Sequence, residues 1–266
     1  MNEAENYIEK NKKLWNKKTE FHVQSEFYDV ENFLKGKSSL NEIELKLLGE
    51  VRGKSILHLQ CHFGQDTISL SRMGAIVTGV DFSDAAIIKA KEISKQVKAD
   101  AEFICCNIYD LPNHLNKKFD LVFTSYGTIG WLPDLDQWAK IVSQFLKPEG
   151  QFVFVEFHPF AWMFDNDFEK VAYSYFKAQP IVETEAGTYA DVNAAVNLES
   201  VTWNHSTGEV LNCLIKNGLE INSFDEYEYS PYNCFNNMIE SELGKFRVGK
   251  FDNKIPLVFS LTATKK

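Results

Sequence analysis

Ser55-Ile56-Leu57-His58-Leu59-Gln60-Cys61-His62-Phe63-Gly64 is the stretch whose reading decides the fold. Residues 55–61 form a short, mostly apolar run, as expected of a strand buried on both faces. Gly64 then opens a segment, Gln65 to Met73, in which Ile68, Leu70 and Met73 can face inward from a helix. Working outward, the same rhythm repeats. Residues 75–81 read as a second strand, followed by a helix that Ser83 or Asp84 can cap. Ala101 to Cys106 reads as a third strand and Phe119 to Ser125 as a fourth. Leu135, Trp138, Ile141, Val142, Phe145 and Leu146 fall on one helical stripe, and Lys147-Pro148-Glu149-Gly150 stops that helix. Gln151 to Phe157 is a fifth strand. Strands separated by single helices need crossover connections, which are right-handed in almost all cases. The five strands are therefore expected in one parallel sheet covered on both faces, a doubly wound α/β domain.

The rhythm breaks after Pro159. Turn signals such as Glu185-Ala186-Gly187-Thr188 and a strand-like piece, Val171 to Phe176, mark an insertion over the site. Ser206 to Asn217 resumes the pattern as a helix, with Gly218 as its left-handed cap. Leu219 to Tyr229 and Ile255 to Thr264 read as strands, and the lack of a long helix between them predicts a closing antiparallel pair. The expected division is an N-terminal helical segment (1–50), a core (51–158 and 206–266) and an insertion (159–205).

Composition narrows the classes of function. With 28 basic and 37 acidic side chains in 266 residues, the formal charge is -9, and no basic face is visible to attract a phosphate backbone. Lys10, Lys12, Lys13, Lys17 and Lys18 share their segment with Glu3, Glu5, Glu9 and Glu20, as on a solvated helix. A nucleic-acid partner is therefore not expected. No apolar run is long enough for a membrane span, and the polar start lacks a secretory core, so the expected setting is cytoplasmic. The five cysteines form no CxxC pair and sit mostly in apolar runs, against both zinc and disulfides.

In an open parallel sheet, ligands lie beyond the carboxyl ends of the strands. Gly64 stands there, where backbone can approach a ligand and N–H groups point outward. Asp81 ends the second strand, near the offset at which an acid reaches ribose hydroxyls. Each residue also has a plainer reading, Gly64 as a turn and Asp81 as a helix cap. Together they point to an adenosine-type ligand.

Across nearly all of 55–157, and again from Ser206 onward, the sequence resembles the class I S-adenosylmethionine-dependent methyltransferases. The resemblance is carried by Ile56 to Gly64, Val80-Asp81-Phe82-Ser83, Asn107-Ile108-Tyr109-Asp110-Leu111-Pro112, Phe119-Asp120-Leu121-Val122 and Leu146-Lys147-Pro148-Glu149-Gly150, in this order. Ser125-Tyr126-Gly127, Trp131-Leu132-Pro133-Asp134-Leu135 and Glu156-Phe157-His158-Pro159 resemble a branch with no assigned substrate. The resemblance implies a seven-strand Rossmann-like sheet with an antiparallel last strand between the fifth and sixth. It implies S-adenosylmethionine as cofactor. The acidic surface favours a small-molecule acceptor, with a protein acceptor left open, and the expected assembly is a monomer or homodimer. The resemblance also places Asp81 on the ribose hydroxyls, Phe82 against the adenine, and Asn107 and Ile108 at its edge, with Tyr109 beside them. Gln60, Cys61, His62, Gly64, Ser125 and Tyr126 would line the methionine part.

The sequence departs from the family at four positions. His58 replaces the usual acid, Gln60 and His62 replace glycines, and Asn107 replaces a frequent Asp. A Gln60 amide on the methionyl carboxylate and a His62 ring over the sulfur are the expected substitutes. In similar enzymes a segment such as Trp15 to Leu34 folds over the cofactor. Tyr28, Trp131 and Trp162 are then expected to form an aromatic cage for sulfonium and acceptor, although aromatic residues at helix spacing also suit a core. For an acceptor that must lose a proton, His158, Tyr126 and His22 are the candidate bases. His158 follows the fifth strand directly, but a His before Pro159 also fixes turns. Two rival readings remain. A nicotinamide-dependent oxidoreductase would use the same Gly and Asp but needs the GxGxxG that is absent here, and a non-catalytic nucleoside-binding module would tolerate the altered turn.

Overall fold

Continuous burial and well-placed caps set the elements of the core. The computed structural model describes residues 6–266; residues 1–5 of the expected N-terminal segment lie outside them. Three helices come first, α1 (Tyr7–His22), α2 (Val30–Leu34) and α3 (Glu42–Leu48). The alternating core follows as β1 (Ser55–Leu59), α4 (Gln65–Arg72), β2 (Ile76–Asp81), α5 (Asp84–Gln96), β3 (Ala101–Cys105), α6 (Leu111–His114), β4 (Phe119–Ser125), α7 (Leu135–Phe145) and β5 (Leu146–Phe157). Then come β6 (Ile181–Ala186), β7 (Asn197–Thr202), α8 (Thr207–Lys216), β8 (Leu219–Tyr227), β9 (Met238–Glu242), β10 (Lys245–Val248) and β11 (Val258–Lys265).

All of β1 is buried, as a strand in the middle of a two-faced parallel sheet must be. Side-chain oxygens start three helices: Ser83 accepts from Ala86 N–H, Asp134 from Gln137 N–H and Ser206 from Glu209 N–H. Ser83, not Asp84, is therefore the cap of α5. The strand order is β3-β2-β1-β4-β5-β11-β8. The first five strands run parallel, and β11 is antiparallel to both β5 and β8. The seven-strand, mostly parallel sheet is the one expected. Trp138, Val142, Phe152, Phe154, Leu214 and Phe259 form the core on one face. On the other face, Ile68 of α4 and Ala90 and Ile93 of α5 cluster with Phe103 of β3. No described helix is long and apolar enough to cross a membrane.

Three local expectations are corrected. The first strand stops at Leu59 rather than Cys61, because Gln60 and His62 take left-handed φ values of 55° and 49°. Val171 to Phe176 is not a strand: Val171 makes one isolated bridge to Phe164, and β6 pairs with β7 instead. The closing strand begins at Val258, beyond Pro256, which has no N–H to give to a ladder. Between β8 and β11 the chain builds an arm, residues 228–257, that carries the β9–β10 hairpin.

Gly64 shows how tightly the first turn is built. Its φ is 78°, and a Cβ there would lie 2.6 Å from Phe103 Cε1 and 3.0 Å from Ala90 Cβ. Left-handed strain and overpacking would act together, so Gly64→Ala is expected to cost about 2–4 kcal/mol in urea unfolding. A loss below about 1 kcal/mol would mean that the turn relaxes freely.

Candidate functional site

The turn after β1 and the end of β2 are bonded to each other. Asp81 Oδ2 accepts the His62 N–H at 2.9 Å and Oδ1 accepts the Ser83 N–H at 2.9 Å. Cys61 N–H donates to Val80 O at 2.9 Å, and Gly64 N–H returns to Cys61 O at 2.9 Å. Gln60, His62 and Gly64 are all left-handed, so two non-glycine residues hold the backbone shape that glycines allow more cheaply. Side chains secure that shape. Gln60 Nε2 donates to Thr128 O at 2.8 Å, and Phe63 N–H donates to His62 Nδ1 at 2.8 Å. Burial pushes the Asp81 carboxyl up to about 6, against the backbone N–H groups that favour its charged form.

This turn opens into a cavity of about 1110 Å³. Gln60, Cys61, His62, Gly64, Asp81, Phe82, Ser125, Tyr126, Tyr28, Trp131 and Trp162, the residues expected there from sequence, all line it. Single-ligand pockets span roughly 300–1,000 Å³, so the space suits two ligands side by side. Asn107 and Ile108 lie in an adjoining pocket of about 40 Å³, closed by Tyr7 and Ile8 of α1 and sharing Gln60, Asp81, Phe82 and Trp131 with the cavity. Asn107 Oδ1 accepts the Tyr109 N–H at 3.1 Å, and its side chain also hydrogen-bonds Tyr7.

Four expectations are not met. The His158 ring faces away from the cavity: Nδ1 accepts the Phe160 N–H at 3.1 Å, and Nε2 lies 2.9 Å from Glu226 Oε1. Its backbone N–H bonds Leu257 O, which turns the side chain toward Phe259 of β11. His22 is fully buried behind the lining. Because His62 Nδ1 accepts from Phe63, its Nε2 carries the proton and donates to His22 Nδ1 at 3.2 Å. Burial pushes His22 down to about 2 and His62 to about 3, so both stay neutral and His22 only orients its partner. Tyr109 lines neither space; its hydroxyl donates to Asp134 O at 2.9 Å. Tyr28, Trp131 and Trp162 share the cavity but not one cage: Tyr28 stacks on His22 and His62, Trp131 meets Trp15, and Trp162 meets Phe157 and Phe235.

Residues 56–150 match the family described as "Methyltransferase domain". The matched stretch is the alternating core from β1 into β5. It is 30% identical over 118 residues to a ubiquinone biosynthesis O-methyltransferase from Coxiella burnetii, an alignment covering 43% of this chain and 50% of that one. The chain thus spans about half the length of the curated relatives it matches first. Among solved structures, an S-adenosylmethionine dependent methyltransferase from Mesorhizobium loti aligns over 87% of this chain and 100% of its own, with TM-score 0.56 and 20% identity. A geranyl diphosphate C-methyltransferase from Streptomyces coelicolor A3(2), in complex with Mg2+, geranyl diphosphate and S-adenosyl-L-homocysteine, aligns over 85% of this chain and 78% of its own, with TM-score 0.56 and 15% identity. Likeness at these identities concerns the fold alone.

The cavity and its rim also use residues outside the set expected from sequence. Glu156, 1% exposed, accepts from the backbone N–H groups of Gly127, Thr128, Ile129 and Phe157 and from the Thr128 hydroxyl. It thereby shapes the turn after β4 that carries Tyr126. An acid in the inward alternation of an apolar strand was the signal for it. Asp66, in the first turn of α4, faces the cavity and accepts from Ser39 Oγ and Ser125 Oγ. Tyr189 and Tyr232 arrive from the insertion and from the 228–257 arm.

Proposed function

We propose that the chain binds S-adenosylmethionine at the Gly64–Asp81 edge and transfers its methyl group to a small molecule in the same cavity. The observation that carries this reading is the direct bond from the His62 N–H to the Asp81 carboxylate, at the mouth of a cavity with room for two ligands. The residues present suit the cofactor. Asp81 keeps lone pairs free for two ribose hydroxyls, and Phe82, Asn107 and Ile108 suit an adenine. Gln60 Oε1 is buried with no partner among the described residues, while its Nε2 is engaged by Thr128. That orphaned acceptor fits a methionyl ammonium, a role that adds to the carboxylate contact, since Nε2 carries a second hydrogen.

Bound there, S-adenosylmethionine supplies a methyl group on positively charged sulfur to an attacking nucleophile. The chain's own contribution is alignment and exclusion of water. Tyr126 is the one sequence-predicted base that lines the cavity, and burial holds its hydroxyl well above the ordinary value, so it stays protonated and donates to Glu44 Oε2 at 3.0 Å. The pocket at Asn107 has room for a few waters, not a purine, so cofactor entry requires α1 to move outward. In this reading residues 6–50 and 159–205 cover the site.

A small acceptor is supported by the O-methyltransferase relative and by the formal charge of -9, which disfavours nucleic acid. A cytoplasmic setting, with a monomer or homodimer, completes the proposal. The five free cysteines suit a reducing compartment. Calorimetric titration with S-adenosylhomocysteine and NAD tests the cofactor assignment: saturable binding of the first alone is expected, and binding of NAD alone would overturn it. Once an acceptor is in hand, His158→Asn should leave its turnover unchanged, whereas a large loss in kcat would restore His158 to the chemistry.

A further inference from the structure

The far end of the cavity is both acidic and aromatic, and no role described above accounts for it. Asp66 Oδ1 accepts from Ser39 Oγ at 2.6 Å and Oδ2 from Ser125 Oγ at 3.1 Å. Both partners are neutral hydroxyls, and among the described ion pairs Asp66 has no cation. Phe27 joins three tyrosine rings beside it, with centroids 5.1 Å from Tyr28, 5.3 Å from Tyr189 and 5.4 Å from Tyr232. Tyr126 meets Tyr232 edge-on at 5.0 Å. Burial holds the hydroxyls of Tyr28, Tyr126 and Tyr232 well above the ordinary value and the Asp66 charge adds to it; Asp66 and the three rings line the same cavity.

A second observation points into the same space. His58, 2% exposed, lines the cavity near Asp66; its Nδ1 meets Thr67 Oγ1 at 2.8 Å and its Nε2 has no partner among the described residues. A buried ring nitrogen left without a bond is costly unless a ligand meets it. The cavity's lysines do not supply the missing charge. Lys37 is held by Asp29 at 2.9 Å, and Lys18 lies over the Trp15, Trp131 and Tyr189 rings, with no described ion pair to Asp66. A carboxylate without a counter-cation, walled by π-faces, attracts a cation and repels an anion.

We propose that this end of the cavity binds a cationic nitrogen: the methyl acceptor is an amine-bearing small molecule whose ammonium group sits against Asp66 inside the box of Phe27, Tyr28, Tyr126, Tyr189 and Tyr232. This rests on the methyltransferase reading and adds the substrate class. The box comes from the segment before α2, the turn after β4, the insertion and the 228–257 arm, whereas the ribose-binding edge comes from β1 and β2. Anionic acceptors are excluded by the same charge.

The test uses the full chain saturated with S-adenosylhomocysteine, titrated with choline and with its neutral isostere 3,3-dimethylbutanol. Choline is expected to bind at least about tenfold more tightly. Asp66→Asn should bring the two within about threefold of each other while leaving S-adenosylhomocysteine affinity within about twofold. Phe27→Leu, which removes a ring and no charge, should weaken choline alone. Equal binding of the two probes by the native chain overturns the proposal. So does an Asp66→Asn chain that loses S-adenosylhomocysteine and choline affinity alike, since Asp66 would then hold the cofactor's own ammonium. If S-adenosylhomocysteine does not bind the native chain, the methyltransferase reading fails instead, and the choline comparison on the ligand-free chain still decides the cationic site.

Discussion

Asp81→Ala is expected to lower affinity for S-adenosylhomocysteine by about 100-fold or more, read by calorimetry at pH 7.5. Hydrogen bonds to a charged group contribute roughly 1.5–3 kcal/mol each, and two ribose hydroxyls lose their acceptor together. The variant also frees the His62 N–H, so the turn loses the bond that ties it to β2. The pH dependence has a definite sign. The folded carboxyl titrates at about 6, against an ordinary 3.8, so the folded chain binds this proton more tightly than the unfolded one. The contribution of Asp81 to stability therefore grows as pH falls from about 6 towards 4. Cofactor affinity should move the other way, weakening as pH falls through 6 because the protonated carboxyl accepts less well. A tight Asp81→Ala complex, or affinity flat from pH 7.5 to 5, would remove Asp81 from the ribose.

Glu156→Ala should be the most destabilising of these substitutions. The carboxylate collects the Gly127, Thr128, Ile129 and Phe157 N–H groups and the Thr128 hydroxyl in a site closed to water. Truncation leaves these donors without partners and opens a cavity, for a loss of about 3–5 kcal/mol. For a chain of this size that corresponds to a fall in melting temperature of roughly 10 °C. Glu156→Gln restores the volume but turns an NH2 group toward inward-pointing donors, so it should recover only part of the loss. A Gln variant as stable as the native chain would mean that the carboxyl is already protonated, the direction in which burial pushes it.

How much of this could be read from sequence depends on how local each determinant is. The β1-to-β5 core was legible because strands buried on both faces leave continuous apolar runs, and helices such as α7 leave a stripe with a capping Asp134 before it. The positions of Gly64 and Asp81 followed from strand ends, whose place in a parallel sheet is fixed by topology, whereas the other residues expected at that edge came with the family resemblance. His158 shows the limit: its position at the end of β5 was correct, yet pairing with Leu257, 99 residues later in the chain, decides where its ring points. His22 failed similarly, since its contact with His62 spans 40 residues. The β9–β10 hairpin left a local sign, Gly244 between alternating segments with φ 69°. Its neighbour Tyr232 did not, because a tyrosine in a polar arm carries no mark of the cavity it reaches.

The most direct measurement is a crystal structure of the chain with S-adenosylhomocysteine. The ribose hydroxyls are expected within about 2.6–3.2 Å of the Asp81 carboxylate oxygens, with the adenine beside Phe82 and Asn107 and the sulfur facing the cavity at Tyr126. A nucleoside seated away from Asp81, or a turn at Gly64 that leaves β2 to admit it elsewhere, would contradict the account.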